Sequence, residues 1–196
     1  MKKIAITGTI GSGKSTVAIL LRRKHFPVFD ADSYAKSCYR KNHPLYQDLI
    51  HTFSKEILDE QEEISKQKLA QIVFSDEEKR KELNELVHPY VKDGLLNFFK
   101  INKDKKTVFA EVPLLYEVGW ENLFDEVLLV TCEDEIALER LQEYRNFTRE
   151  EALKRLAAQI DKMEQIEKAN TVINNNGTIV ELNELLDKMI KVEKWN

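Results

Sequence analysis

A glycine-rich segment near the N-terminus constrains the fold of this chain more strongly than any other part of its sequence. Residues 8–15 read GTIGSGKS, which fits the pattern G-x-x-x-x-G-K-[ST] completely. A short apolar run at residues 3–7 precedes the segment, and residues 15–24 follow it with apolar positions at helical spacing. Glycines permit a sharp turn that brings backbone N–H groups close to an anion, and a helix that starts there adds the positive end of its dipole. The segment therefore predicts a strand, a phosphate-binding loop and a helix, in that order.

The residue types inside this loop indicate how a nucleotide is held. The Lys14 ammonium is a compact positive charge for the β- and γ-phosphates, and the Ser15 hydroxyl is suited to coordinate Mg²⁺. The residues predicted to bind ATP in and after the loop are Gly11, Ser12, Gly13, Lys14, Ser15 and Thr16. A GTPase is disfavoured, because the nearest match to the guanine-reading pattern N-K-x-D, at residues 102–105, has lysine in the last place.

The rest of the chain continues the alternation of strands and helices. Short runs that are β-branched or apolar, as in strands, occur at residues 28–30, 107–112, 126–130 and 171–173. Helical segments separate most of them, which predicts an α/β fold with a mainly parallel five-stranded sheet flanked by helices. Two segments interrupt the alternation. We expect a helical insertion at residues 44–102 and a second insertion at residues 140–168, within a single domain over residues 1–196.

Three local signals mark helix starts inside these insertions. Ser75 and Glu78 have the spacing of a capping box, and so do Thr148 and Glu151. Pro89 suits the first turn of a further helix. A backbone N–H in that turn would have no intrahelical acceptor, so a proline there loses no hydrogen bond.

Composition excludes several classes of protein. With 42% hydrophobic and 33% charged residues the chain is not disordered, and its apolar runs are too short to span a membrane. A net charge of −4 argues against binding along a nucleic-acid backbone. The two cysteines, Cys38 and Cys132, and the four histidines match no metal-binding spacing. We expect a cytoplasmic protein with reduced cysteines and without nucleic-acid or membrane partners.

Acidic residues near the ends of two predicted strands are candidates for chemistry. Asp30 and Asp32 lie at the C-terminal end of the second predicted strand, on the edge where open parallel sheets bind ligands. If the chain stays extended there, both side chains point the same way, and a carboxylate can accept the proton of an attacking hydroxyl. Asp32 is the favoured base. Asp30 either takes part in catalysis, caps a helix that begins near Ser33, or supports the catalytic aspartate. Glu111 lies in an apolar run and either holds Mg²⁺ through water or is a charge satisfied by a partner.

Basic residues are concentrated at residues 140–155, where glutamates interleave with them. They suit either a lid that closes over ATP and excludes water or an ordinary solvated helix face. The residues alone leave both interpretations open.

With these residues in view, the chain resembles the dephospho-CoA kinase family over nearly its whole length. The shared features are, in chain order, the loop at residues 8–16, Pro27 with Asp30-Ala31-Asp32, Leu69 with residues 73–75, His88-Pro89, residues 112–117 with Trp120, Arg140, Arg155 with Gln159, and residues 172–177. Many families share the phosphate loop. The combination of Asp-Ala-Asp, His-Pro and Val-Pro-Leu-Leu is much more selective.

The resemblance implies an Mg²⁺- and ATP-dependent phosphotransferase that acts on the ribose 3′-hydroxyl of dephospho-CoA. It also implies a P-loop core, a helical CoA-binding insertion and an arginine-bearing lid. By position, Asp32 corresponds to the catalytic base that contacts the acceptor, Lys14 to the lysine that stabilises phosphate, and Ser15 to the Mg²⁺ ligand. The other implied site residues are Arg140, Asn175 and Gly177 on the nucleotide side, and His88, Leu115 and Glu117 on the acceptor side. ATP and dephospho-CoA are the implied partners, and the sequence predicts no particular protein partner.

Some positions depart from the family pattern, and two other functions compete. Tyr144 stands where the family commonly has arginine, Gln165 where many members have lysine, and Asn174 where aspartate is usual. A related small-molecule kinase, directed at shikimate or a nucleotide, shares the loop but usually has a shorter insertion. A non-catalytic ATP-binding regulator or scaffold is the other alternative. The loop lysine, the strand-end aspartate and the lid-like segment favour turnover over binding alone.

Overall fold

The structure is a computed structural model in which residues 1–74, 76–193 and 195 are described. These residues form five strands and nine α-helices. The strands are β1 Lys2–Gly8, β2 Val28–Asp30, β3 Thr107–Glu111, β4 Glu126–Thr131 and β5 Thr171–Asn174. The helices are α1 Lys14–Arg23, α2 Ala31–Ser37, α3 Pro44–Phe53, α4 Lys66–Phe74, α5 Glu77–Ile101, α6 Asp134–Arg145, α7 Arg149–Ala157, α8 Lys162–Lys168 and α9 Ile179–Val192. None of the described helices combines the length and the apolar character that a membrane span requires.

The five strands run parallel in one sheet with the order β2-β3-β1-β4-β5, which confirms the predicted sheet. The central strand is β1, which leads into the glycine-rich loop. Asp30, the last residue of β2, lies opposite Glu111, the last residue of β3, and Ile6 of β1 lies on the other side of Glu111. The carboxyl ends of neighbouring strands thus meet at one edge, where open parallel sheets bind ligands.

The apolar sides of β1, α1 and β3 build the main core. Ile6 of β1 is buried, and so are Val17 and Leu21 of α1, whose spacing of four puts them on one face of the helix. Trp195 packs edge-on against Phe109 of β3, with 5.1 Å between the ring centroids. Burial of each such side chain contributes about 1.5–3 kcal/mol. This core fixes β1 and α1, and therefore the two ends of the loop that joins them.

The chain divides into two compact units. One consists of Met1–Asp30 and Ile101–Asn196 and contains the sheet. The other, Ala31–Lys100, is helical, and its described residues contain no strand pairing beyond one isolated bridge. The helical unit begins at Ala31, ahead of the predicted insertion boundary at residue 44.

The prediction that Pro89 begins a helix is wrong. Pro89 lies inside α5, whose 25 residues continue through it. Proline lacks the N–H that would bond to the carbonyl four residues earlier, so α5 loses one hydrogen bond there. The helix also carries buried apolar residues, among them Val91 and Leu95, and their burial offsets this loss. The other start signal in this segment, the Ser75 capping box, lies outside the described residues.

Residues 140–168 are largely helical and comprise the end of α6 with α7 and α8. The predicted capping box at the start of α7 is confirmed. The Thr148 hydroxyl accepts a hydrogen bond from the backbone N–H of Glu151 at 3.2 Å, and the Glu151 carboxylate accepts one from the backbone N–H of Thr148 at 2.8 Å. The bonds to Thr148 hold the pKa of the Glu151 carboxyl below its ordinary value.

Candidate active site

The phosphate loop joins β1 to α1 through turns that require glycine. Gly11 and Gly13 have φ angles of 79° and 93°, in the left-handed region that other residues disfavour. At Gly13 a Cβ atom would overlap the side-chain amide nitrogen of Asn175. Because α1 begins at Lys14, the positive end of its dipole and its unbonded N–H groups lie at the loop. Of the six predicted ATP-binding residues, the turn contains Gly11, Ser12 and Gly13, and the first turn of α1 contains Lys14, Ser15 and Thr16.

The Lys14 side chain folds back onto the loop. Its Nζ donates hydrogen bonds to the carbonyl oxygens of Gly8, at 2.7 Å, and Thr9, at 2.8 Å. Both acceptors are neutral carbonyls, so these bonds hold the ammonium group at the loop without cancelling its charge. Lys14 is therefore positioned to attract a phosphate group.

Side-chain oxygen atoms that could bind a cation lie beside the first turn of α1. The Ser15 hydroxyl donates to Glu111 Oε1 at 2.6 Å, and Glu111 is only 5% exposed. Asp30 is the register partner of Glu111, and its carboxylate lies 3.9 Å from the Arg22 guanidinium. Hydroxyl and carboxylate oxygens are the ligands that Mg²⁺ prefers, so Ser15 and Glu111 fit a magnesium site. The described part of the chain contains no cluster of three or more acidic, histidine or cysteine ligands, so other ligands would come from phosphate and water.

Asn175 connects the end of β5 to the phosphate loop. Its backbone N–H donates to the Thr131 carbonyl at 2.7 Å, and its side-chain Nδ2 donates to the Ser12 carbonyl at 2.8 Å. The Asn175 side chain is buried in the space that a side chain at Gly13 would need. Asn175 therefore holds the loop in its turn, a role that the sequence did not reveal.

Arg140, on α6, lies beside the segment that follows β5. Its Nη2 donates to the Gly177 carbonyl at 3.4 Å. Its Nη1 is buried and has no hydrogen-bond partner among the described residues. A buried donor without an acceptor costs free energy, so Arg140 offers a binding contact to an anionic or carbonyl group. Arg140 and Gly177, both predicted on the nucleotide side, are thus brought together.

The segment between α7 and α8 also contacts the phosphate loop. The backbone N–H of Ile10 donates to Gln159 Oε1 at 2.7 Å. Lys162, in the first turn of α8, donates to the Cys132 carbonyl at 2.5 Å and pairs with Asp134 at 3.1 Å. Neither contact could be predicted from the sequence, because the contacts join positions 149 and 30 residues apart, beyond the reach of any local pattern.

Asp32, the predicted base, is exposed in the first turn of α2 and belongs to the helical unit. The expectation that the chain stays extended from Asp30 to Asp32 is wrong, because α2 begins at Ala31, directly after β2. The helix predicted to begin near Ser33 is present but starts two residues earlier, at Ala31, so Asp30 is the residue that directly precedes it. A carboxylate in the first turn interacts favourably with the helix dipole, which explains a helix that starts so early. The catalytic role of Asp32 stays a prediction.

The residues predicted on the acceptor side lie in two elements. His88 is inside α5, where burial lowers the pKa of its imidazole. Leu115 and Glu117 follow β3, and of these Leu115 is completely buried while Glu117 is exposed. Tyr116 donates to the Gln165 carbonyl at 3.5 Å, and burial raises the pKa of its hydroxyl to about 12. Leu115 therefore packs in the interior, and Glu117 is the one of the two whose side chain is accessible to a ligand.

We expect Gly13→Ala to weaken ATP binding at least about tenfold, the loss of roughly one charge-assisted hydrogen bond. The new Cβ would displace Asn175 from Ser12, and the backbone strain at a φ of 93° adds to the cost. Calorimetric titration with ATP measures the loss. Gly119→Ala is the matched control, because Gly119 also has a positive φ, of 66°, but a Cβ there meets nothing within 4 Å. Normal ATP affinity in Gly13→Ala would contradict this account of the loop.

Comparison with known proteins places these features in one family. The family model described as dephospho-CoA kinase matches residues 2–181. A dephospho-CoA kinase from Geobacillus kaustophilus is 41% identical over 195 residues, which cover 98% of this chain and 96% of the relative. A solved structure of a protein from Thermus thermophilus has a TM-score of 0.82 at 36% identity, and the match covers 97% of this chain and 96% of the other. The structure of a dephospho-CoA kinase from Campylobacter jejuni has a TM-score of 0.73 at 29% identity, again covering 97% and 96%.

These matches extend over almost the whole of this chain and of each relative, so they include the phosphate loop, the helical unit and the segments after β4. The order and spacing of the sequence motifs are accordingly those of a single family. The chain belongs to the dephospho-CoA kinase family.

Proposed function

We propose that the chain transfers the γ-phosphoryl group of ATP to the ribose 3′-hydroxyl of dephospho-CoA, giving CoA and ADP. Its family supports this reaction. The observation that carries the proposal is the intact phosphate loop, with Lys14 Nζ held 2.7 Å and 2.8 Å from two loop carbonyl oxygens. That arrangement suits phosphoryl transfer, in which positive charge at the β- and γ-phosphates is the main requirement.

In this reaction the acceptor oxygen forms a bond to the γ-phosphorus while the bond from that phosphorus to the β,γ-bridging oxygen breaks. Negative charge is spread over the transferring group, so catalysis depends on positioning and on neutralisation of charge. The loop N–H groups and Lys14 stabilise that charge. Asp32 accepts the proton that the 3′-hydroxyl releases, and ADP leaves with the bridging oxygen.

Ser15 and Glu111 are the residues that hold Mg²⁺ in this proposal, Ser15 through its hydroxyl and Glu111 through water. When bound, the cation supplies further positive charge to the β- and γ-phosphates. The 2.6 Å contact between the two side chains supports the assignment. The same contact fits the alternative, in which Glu111 is a charge satisfied by protein partners, and an experiment separates the two.

If Glu111 holds the cation, Glu111→Gln raises the Mg²⁺ concentration for half-maximal activity roughly 10-fold, within the range for loss of an outer ligand. Glutamine keeps the volume of the buried side chain and can still accept the Ser15 hydrogen bond, but it removes the negative charge. A magnesium titration at saturating ATP measures the shift. The exposed Glu184→Gln on α9 is the control for loss of one negative charge. An unchanged magnesium requirement would leave Glu111 as a charge satisfied by its partner.

The other site residues keep the roles that the resemblance implies. We assign the nucleotide side to Arg140, Asn175 and Gly177 and the acceptor side to His88 and Glu117. Leu115 is buried, and we assign it the support of the segment that carries Glu117. We assign acceptor binding to the helical insertion at residues 44–102 and a lid function to residues 140–168. A cytoplasmic location is part of the proposal, supported by two buried cysteines that form no disulfide.

A comparison of acceptors tests the function against the related kinases. We expect measurable kcat/KM with MgATP and dephospho-CoA and none with shikimate or a nucleoside monophosphate. Release of ADP is followed for each acceptor in parallel. Efficient phosphorylation of another alcohol with no reaction of dephospho-CoA would contradict the proposal, and ATP binding without any transfer would favour a regulator.

A further inference from the structure

One backbone donor of the phosphate loop is occupied by a side chain from a distant segment. Ile10 is the third residue of the loop, and its N–H donates to Oε1 of Gln159 at 2.7 Å. Because a backbone N–H requires an acceptor opposite it, this bond fixes the orientation of the amide group, with its oxygen toward Ile10. The other end of the same group, Nε2, carries two N–H donors.

The Nε2 atom of Gln159 has no hydrogen-bond partner within the described part of the chain. The Gln159 side chain is half-buried and lies beside a loop that binds anions. A donor in such a place can form a charge-assisted hydrogen bond with a phosphate oxygen. The Gln159 side chain therefore offers a phosphate bound in the loop one more hydrogen-bond donor, in addition to the backbone N–H groups and Lys14.

The segment that carries Gln159 is held at the loop by other contacts too. Gln165 Nε2 donates to the Ile160 carbonyl at 2.9 Å, and Lys162 donates to the Cys132 carbonyl at 2.5 Å. These bonds fix the residues that follow Gln159 against the end of β4. A donor whose backbone is already ordered loses little conformational entropy when a ligand binds, which favours a useful contribution to affinity.

The position of Ile10 indicates which phosphate the free amide meets. Backbone N–H groups of a phosphate loop cradle the α- and β-phosphates, and the lysine reaches the β- and γ-phosphates. Ile10 directly follows Gly8 and Thr9, whose carbonyls accept hydrogen bonds from Lys14 Nζ, so it lies at the end of the loop where the lysine ammonium is held. A donor beside Ile10 is therefore placed for the phosphate farthest from the nucleoside.

We propose that Gln159 is a nucleotide-binding residue that recognises the terminal phosphate of ATP. Its Oε1 stays on the Ile10 N–H, and its Nε2 donates to a γ-phosphate oxygen. ADP has no such oxygen, so Gln159 makes the site bind ATP in preference to ADP. This inference rests on the proposed function, since it assumes that the loop binds ATP.

Gln159→Met removes both polar atoms with little change in volume and tests the inference. We expect the Kd of a non-hydrolysable ATP analogue to rise about tenfold or more, while the Kd of ADP changes less than about twofold. Isothermal titration calorimetry with each nucleotide and Mg²⁺ gives both values, and the melting temperature reports whether the variant is folded. Glu184→Met, which removes a polar side chain of the same length from an exposed position of α9, is the matched control and leaves both constants unchanged.

Gln159→Glu is the second variant, because it keeps an acceptor for Ile10 and removes the amide donor. It also is expected to lose affinity for the ATP analogue far more than for ADP. Equal weakening of both nucleotides by Gln159→Met would give Gln159 a purely structural role and overturn the inference, and so would unchanged binding of both. An unaltered protein that binds neither nucleotide would instead contradict the proposed function.

Discussion

Asp32→Asn lowers kcat for CoA formation roughly 10²–10⁴-fold, the usual contribution of a general base. Asparagine preserves the shape of the side chain and its ability to accept a hydrogen bond, but it cannot take the proton of the 3′-hydroxyl. Because Asp32 is exposed in the first turn of α2, its replacement does not disturb a buried contact. The KM for ATP therefore stays close to that of the unaltered protein, and steady-state kinetics with both substrates separate the two constants.

Asp30→Asn is the informative comparison, since Asp30 is two residues away and carries the same group. In the structure the Asp30 carboxylate faces Arg22 at 3.9 Å and ends β2, which gives it a supporting role. We expect a much smaller loss of kcat from this variant. A near-normal kcat in Asp32→Asn would remove Asp32 as the base, and a larger loss in Asp30→Asn would transfer the role to Asp30.

Lys14→Ala weakens ATP binding about 10–100-fold, which is the contribution of hydrogen bonds to a charged group. It also slows phosphoryl transfer by a further factor of roughly 10² or more, the effect of removing one preorganised donor. Both effects follow from one ammonium group that contacts the phosphates before and during transfer. Calorimetric titration measures the first effect, and single-turnover kinetics at saturating ATP measure the second.

The control for Lys14→Ala is Lys188→Ala, which removes an equal charge from an exposed position on α9. It is expected to change neither quantity. An unchanged Kd for ATP in Lys14→Ala would contradict the phosphate role of Lys14 and, with it, the interpretation of its bonds to Gly8 and Thr9.

The features that the sequence predicted well are those that neighbouring residues determine. Strand, loop and helix could be predicted in that order at the N-terminus, because a β-branched run, glycine turns and a helical spacing are each local signals. The Thr148 capping box was visible for the same reason. Local signals misled where a longer element overrode them: Pro89 suits a helix start, yet α5 continues through it, and the residues after Asp30 turn at once into α2.

The contacts that shape the site were not predictable in this way. Asn175 meets Ser12 across 163 residues, because the parallel sheet brings the end of β5 to the loop that follows β1. Gln159 meets Ile10 across 149 residues, because the segment between α7 and α8 contacts the same loop. Glutamine and asparagine also occur throughout protein surfaces, so their types alone gave no reason to single these two out for a contact with the loop. Only the packed sheet determines which of them reach it.

The most direct test of this account is the incubation of the purified protein with MgATP and dephospho-CoA, with both products quantified. The account predicts CoA phosphorylated at the ribose 3′-position, formed in equal amount to ADP and absent when either substrate or Mg²⁺ is omitted. A folded protein that binds ATP but forms no CoA, or that releases ADP without phosphorylating dephospho-CoA, would contradict it.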